Sequence, residues 1–228
     1  MNETLLLALA IVPALVIAIV FHEVAHGWAA LALGDPTAKE QRRLSLNPLR
    51  HVDPFGTIIL PGLLALTGAP VFGWAKPVPV VKERLNNPRF GMMAVAAAGP
   101  ATNFILALLA AVVLGLIVRA ATGPAGGLLG FAVLALMSFI RINIFLGLFN
   151  LLPIPPFDGS HIVEGLLPRG AARAYEKLRP FGFPLLFLLL LVIPWLFPGL
   201  GIVERVVLPP VLWAQEQYLA LANWVAGG

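Results

Sequence analysis

Residues 22–26 read His-Glu-Val-Ala-His, two imidazoles four positions apart with a carboxylate beside the first. On an α-helix such positions lie about 40° apart around the axis and about 6 Å along it. His22 and His26 can therefore reach one divalent cation, with Glu23 close enough to handle a metal-bound water. Zinc lowers the pKa of bound water to about 7, which a carboxylate base can finish deprotonating. The same carboxylate can then carry the proton to a leaving amine. On a soluble helix the spacing could be chance. Here it lies inside an apolar run, where a single ionisable group at mid-membrane costs on the order of 2.5–3.5 kcal/mol. Three together need a compensating partner, and a divalent cation supplies one.

A catalytic zinc takes three protein ligands and keeps one position open. The 228 residues include no cysteine, so disulfides, thiolate sites and cysteine nucleophiles are excluded, and any metal must be held by His, Asp or Glu. Asp158 follows Asn150-Leu-Leu-Pro-Ile-Pro-Pro-Phe. Pro153, Pro155 and Pro156 must break a helix there, and Gly159 frees the backbone beside the acid. Irregular backbone at membrane depth is tolerated only where it is buried or lines a wet cavity. Asp158 is then a functional carboxylate in such a cavity, or the cap of a helix over 159–167. His161 is close by, as a hydrogen-bonding partner of a ligand, a spare ligand or a polar residue at a helix start. Asn103, amid apolar residues, must hydrogen-bond another helix or touch a substrate. His51 and Asp53, in Arg50-His-Val-Asp-Pro-Phe-Gly56, read as a loop with an Asp-Pro turn. The run Lys76-Pro-Val-Pro-Val-Val81 suits an extended edge strand able to pair with an unwound substrate, or a plain extended linker.

The elements that must position these groups are apolar. Of the chain, 59% is hydrophobic and 11% charged, about half the charge of a soluble domain, so the protein is embedded in a lipid bilayer. The net charge of +4 sits in short loops between apolar runs, a pattern of topology rather than of nucleic-acid binding. Apolar stretches cover 5–33, 57–72, 92–118, 128–152 and 181–197. A sixth, 202–225, is interrupted by Pro209 and Pro210 and is an interfacial helix or a poor span. The first stretch lacks a basic lead and a cleavage site, and reads as a retained helix. Stretch 57–72 is short of the ~20 residues a spanning helix needs and contains Pro61, Gly62, Gly68 and Pro70. As a re-entrant segment it puts the basic clusters at 39–50, 76–89 and 169–179 together in the cytoplasm, and brings 22–26 and 150–158 to a similar depth. The expectation is an all-α polytopic membrane protein with about four to six spans, a re-entrant segment and room for a small membrane-associated β element. A single domain, 1–228, holds a catalytic core over 5–167 and C-terminal helices over 180–225.

His22-Glu-Val-Ala-His26 in one span and Asn150…Pro-Pro-Phe-Asp158-Gly159 in a later one resemble the site-2 protease family of intramembrane zinc metalloproteases. Gly99-Pro-Ala-Thr-Asn103, Gly73-Trp-Ala-Lys-Pro-Val-Pro79 and the His51/Asp53 loop resemble its short prokaryotic members, and 228 residues leave no room for the PDZ or CBS domain of larger ones. The resemblance implies one zinc per chain held by His22, His26 and Asp158, with Glu23 as general base and Asn150 as a substrate or oxyanion contact. Ser160 stands where another glycine is common. Implied partners are single-span membrane proteins or signal-peptide remnants, cut in a prokaryotic cell membrane by a site facing the cytoplasm. Two rivals compete. An ion carrier also sets His and Asp in broken helices, but the chain has no internal repeat, and a Glu between the histidines is what hydrolysis requires. An inactive relative would bind membrane helices without cutting, against which His22, Glu23, His26 and Asp158 are all intact.

Overall fold

The computed structural model describes residues 2–68, 73–121, 123, 126–197 and 203–228, and among these it contains no strand. Helix α1 (Glu3–Ala32) is capped by Asn2, whose side chain accepts from the Thr4 N–H at 3.2 Å. It ends before Gly34, whose φ of +104° is left-handed backbone that glycine adopts freely. After the short α2 (Thr37–Glu40), a π-helical turn over Pro54–Ile59 runs into α3 (Leu60–Thr67). Helix α4 (Pro88–Ala120) opens on a proline, capped by Asn87, which accepts from the Phe90 N–H at 3.2 Å. Proline fits that position because its missing N–H has no intrahelical partner anyway. Helix α5 (Gly127–Asn150) stops short of the proline run. There follow α6 (Asp158–Leu166), α7 (Arg169–Glu176), α8 (Gly182–Phe187), α9 (Ile193–Leu196) and α10 (Leu208–Ala226).

Of the spans expected, three are long helices. The 30, 33 and 24 residues of α1, α4 and α5 rise about 45, 50 and 36 Å, against about 30 Å of hydrocarbon. The stretch at 181–197 is a shorter run, in which α8 passes through a π-helical segment, Leu188–Val192, into α9. Residues 198–202, including the start of the sixth stretch, lie outside the described residues. From that stretch comes α10, which packs along α4 in the same direction. The Tyr218 hydroxyl donates to Phe104 O at 3.3 Å, and a Cβ on Gly115 would come within 2.4 Å of Ala222 O. Ala107, Ala111, Ile140, Ile144, Val211 and Ala222 join α4, α5 and α10 in one core. Small side chains suit these contacts, because helices already in lipid associate by close packing and hydrogen bonds rather than by escape from water. Leu9, Ile105, Leu109 and Leu116 point outward instead, as a lipid-facing surface requires.

The π-helical turn and α3 together form an apolar helix of only 14 residues, Pro54–Thr67. Residues 69–72, the end of the expected re-entrant stretch, lie outside the described residues, but the chain on either side comes back to one point. The Trp74 N–H donates to Gly56 O at 3.1 Å, and the Thr57 hydroxyl donates to Trp74 O at 2.9 Å. A segment whose two ends touch enters and leaves at one depth. The three basic clusters also converge. Arg43 donates to Lys76 O at 2.8 Å, Arg84 pairs with Glu40 at 2.9 Å, and Lys82, at 2.8 Å, shares Glu164 of α6 with Arg179.

The β element is absent among the described residues, for a readable reason. Pro77 and Pro79 have no N–H to donate, and the Val78 and Val81 donors go to side chains. Val78 N–H bonds Glu23 at 2.8 Å and Val81 N–H bonds Asp35 at 2.6 Å. Residues 75–81 are an extended strap with no strand partner.

Candidate active site

Helices α1 and α4 run in opposite directions across the site: Asn103 faces His22, while Val95, two turns earlier in α4, faces His26. The turn after α5 then delivers Asp158, the first residue of α6, to the same place. Asp158 Oδ2 lies 3.1 Å from His22 Nε2 and 3.3 Å from His26 Nε2. The two Nε2 atoms are 3.1 Å apart, and the three possible ligand atoms fall within 4.8 Å of one another.

The other ring nitrogens state what these atoms are for. His22 Nδ1 is 2.6 Å from Asn103 Oδ1, and His26 Nδ1 is 2.7 Å from Val95 O. Both partners accept only: the amide nitrogen of Asn103 is turned to Ala18 O at 3.2 Å and Asn143 Oδ1 at 2.9 Å. Each Nδ1 therefore carries a hydrogen, and in the neutral imidazole each Nε2 presents a bare lone pair. Asp158 Oδ2, buried beside them, has no hydrogen-bond donor. Two lone pairs and a carboxylate oxygen pointing at one spot repel unless a cation sits among them, and neutral imidazoles with an ionised carboxylate are the form that binds zinc. The residues fit the metal.

Glycines let the backbone come this close. A Cβ on Gly99 would be 2.6 Å from His22 Cε1 and from His26 Nε2, and one on Gly159 would be 2.2 Å from Leu151 O. Gly99 thus seats α4 against both imidazoles, and Gly159 lets the proline turn fold back on α6. The site opens into a cavity of about 520 Å³ whose wall includes Glu23, the strap from Gly73 to Val80, Asn150, His161, Phe183 and Leu186. Glu23 accepts the Val78 N–H through Oε2, so the strap holds its carboxylate at the cavity wall.

The remaining sequence candidates separate cleanly. Asn150 lines the cavity and gives one amide hydrogen to Leu146 O at 2.9 Å, keeping its carbonyl and second N–H available. Asn103 is wholly buried and absent from the wall; of the two roles expected, its partners correspond to bonding between helices. Asp53 accepts from the Phe55 and Gly56 N–H groups at 3.1 and 2.7 Å, and His51 donates to Ser45 O at 2.7 Å. Both belong to the loop that launches the re-entrant helix, and neither lines the cavity. Sequence reasoning passed over Asn143, although a lone amide in an apolar span was the signal that singled out Asn103. It also passed over Glu164, whose burial works against its charge while Lys82 and Arg179 hold its carboxyl below the usual range.

A model of peptidase family M50 matches residues 10–193. The chain belongs to this family, that of the site-2 proteases. Among similar proteins, YwhC of Bacillus subtilis (strain 168) is 39% identical over 85% of this chain and 87% of its own length. Rip2 of Mycolicibacterium smegmatis is 31% identical over 77% of this chain and 65% of its own, and Rip2 of Mycobacterium tuberculosis H37Rv 27% over 83% and 73%. All three carry the name of a zinc metalloprotease. No solved structure matches the chain significantly. The protein is thus a membrane-embedded zinc metalloprotease.

Proposed function

We propose that this M50 peptidase hydrolyses peptide bonds within or beside transmembrane helices of membrane-anchored proteins, single-span regulators or signal-peptide remnants among them. The observation that carries the proposal is the convergence of His22 Nε2, His26 Nε2 and Asp158 Oδ2 with both Nδ1 hydrogens already committed. In this reading those three residues hold one zinc, which when bound supplies Lewis acidity and lowers the pKa of water.

The chain's own residues do the rest. Asn103 and Val95 O fix the imidazoles in the ligating tautomer. Glu23 takes a proton from the attacking water; as the water oxygen bonds to the carbonyl carbon and the C–N bond breaks, Glu23 passes that proton to the leaving nitrogen, giving a carboxylic acid and an amine. Asn150 offers its free amide N–H and carbonyl to the substrate backbone. A helical substrate has its peptide groups bonded internally, so it must unwind locally before any of these groups can reach it. Leu146, Phe149, Phe183 and Leu186 give the cavity an apolar wall for the side chains of such a segment. The basic clusters gather at the end of the bundle nearest the site, which supports a cytoplasmic orientation.

The test uses Glu23→Gln and a panel of single-span reporter helices in proteoliposomes. Wild type cuts at least one of them. The variant loses about 10²–10⁴ in rate, the value of general acid–base assistance, while its zinc content stays near one per chain. Cleavage by Glu23→Gln at more than about a tenth of the wild-type rate overturns the assignment of Glu23. Metal transport without cleavage by wild type would favour an ion carrier.

A further inference from the structure

We infer that His161 is a substrate-binding group of the active site, a neutral imidazole whose Nε2–H is held ready to donate to a carbonyl oxygen of the bound peptide, the scissile one as it gains charge. The inference rests on the peptidase reading above. It begins from a hydrogen bond that has only one possible direction. Arg179 Nη2 lies 2.9 Å from His161 Nδ1, and a guanidinium has donors only. His161 Nδ1 must therefore be the acceptor, and the ring's hydrogen must sit on Nε2. This is the opposite tautomer from His22 and His26, whose Nδ1 atoms carry the hydrogen and whose Nε2 atoms face the metal position.

The guanidinium that sets this tautomer is itself fixed. Arg179 pairs with Glu164 Oε2, lies 3.8 Å from Glu176, and Glu164 is anchored on its other oxygen by Lys82 at 2.8 Å. The chain of contacts runs from Lys82 through Glu164 and Arg179 to His161, and His161 forms part of the cavity wall. Burial and the neighbouring Arg179 charge both hold the imidazole below its ordinary pKa, in keeping with the neutral form.

Position decides what the donor is for. His161 lies three residues after Asp158 on α6, and residues three apart share a helix face with Cβ atoms about 5–6 Å apart. The two side chains line the same cavity from one face of α6. Peptide hydrolysis builds negative charge on the carbonyl oxygen, and donors aimed at that oxygen are a large part of catalysis. Of the groups nearest the metal position, His22, His26, Asp158 and Glu23 present acceptors, and Asn150 keeps one amide hydrogen after donating the other to Leu146 O. His161 Nε2–H adds a second side-chain donor on the Asp158 side of the cavity. Arg179 acts through it as a positioning residue.

The experiment uses full-length protein and a single-span reporter helix that wild type cuts. His161→Phe keeps the ring and removes the donor; kcat should fall about 10²-fold, in line with the loss of one such donor, with zinc still near one per chain. His161→Gln restores a side-chain N–H and should recover at least tenfold of that loss. In ¹⁵N-histidine spectra of wild type, the His161 signal, assigned by its loss in His161→Phe, should show hydrogen on Nε2, and Arg179→Leu should release that preference. Cleavage by His161→Phe within threefold of wild type overturns the inference, as does loss of zinc in step with activity. No rescue by glutamine, or hydrogen on Nδ1 in wild type, overturns it equally. Failure of the peptidase reading would look different, since wild type itself would then cut no reporter.

Discussion

Replacing Asn103 by leucine removes three contacts from a wholly buried position while keeping the branched side-chain shape. His22 Nδ1–H loses its acceptor, Asn143 Oδ1 loses its donor, and Ala18 O loses a second partner. A buried polar group left unpaired costs about 1–3 kcal/mol, and hydrogen bonds between membrane helices fall between about 0.6 and 1.7 kcal/mol. The share that matters for the metal is the first contact, because it sets the tautomer and the orientation of a proposed ligand. Loss of such an outer hydrogen bond weakens metal affinity by about 10–100-fold, which corresponds to about 1.4–2.7 kcal/mol. Competition with a chelator of known zinc affinity, on protein in detergent whose helicity matches wild type, measures this directly. Asn103→Asp keeps an oxygen facing His22, and a carboxylate there still orients the Nδ1–H although the amide donor is lost, so its loss of zinc affinity should be the smaller one. Zinc affinity in Asn103→Leu within threefold of wild type, or Asn103→Asp as weak as Asn103→Leu, would refute the account of how His22 is held.

Other outcomes follow from the same contacts. Gly99→Ala places a methyl group 2.6 Å from both imidazoles, so purified protein should hold well under half the wild-type zinc; full retention would show that α4 can retreat. Asp35 lies beyond α1 and accepts from Thr37 N–H, the Thr37 hydroxyl and Val81 N–H. Burial alone would raise its pKa from the ordinary 3.8, but these donors more than offset that and lower it. Its contribution to stability is therefore complete above about pH 4 and disappears as pH falls through the lower folded value. Asp35→Asn should cost about 1.5–3 kcal/mol at pH 7, the range for hydrogen bonds to a charged group, and should flatten the acid limb of a melting-temperature profile; an unchanged acid limb contradicts this. Single cysteines at Ser45 and Glu83 should both react with an impermeant reagent from the cytoplasmic face, and labelling from opposite faces would make 57–72 a crossing segment.

The chemistry was local enough to be read from the chain. The spacing of His22, Glu23 and His26 is a property of any helix, and their setting in an apolar run makes a metal the economical partner. The proline run before Asp158 announces broken backbone at membrane depth whatever surrounds it. The shortness of 57–72, with its prolines and glycines, likewise ruled against a spanning helix before any contact was known. Nothing in the chain order joined Asn103 to His22 or Asn143 to Asn103, because those bonds depend on the crossing of α1, α4 and α5, which small residues spread along three helices decide together. The strap at 75–81 shows the limit from the other side: alternation of proline and β-branched residues suits an edge strand, yet Glu23 and Asp35 take the Val78 and Val81 donors and leave it unpaired. His161 carried no sign of its tautomer, which Arg179 imposes from 18 residues away. Sequence determines which groups must escape lipid and which can bind a metal; hydrogen-bond direction and cavity shape are properties of pairs brought together by packing, and only the assembled helices contain them.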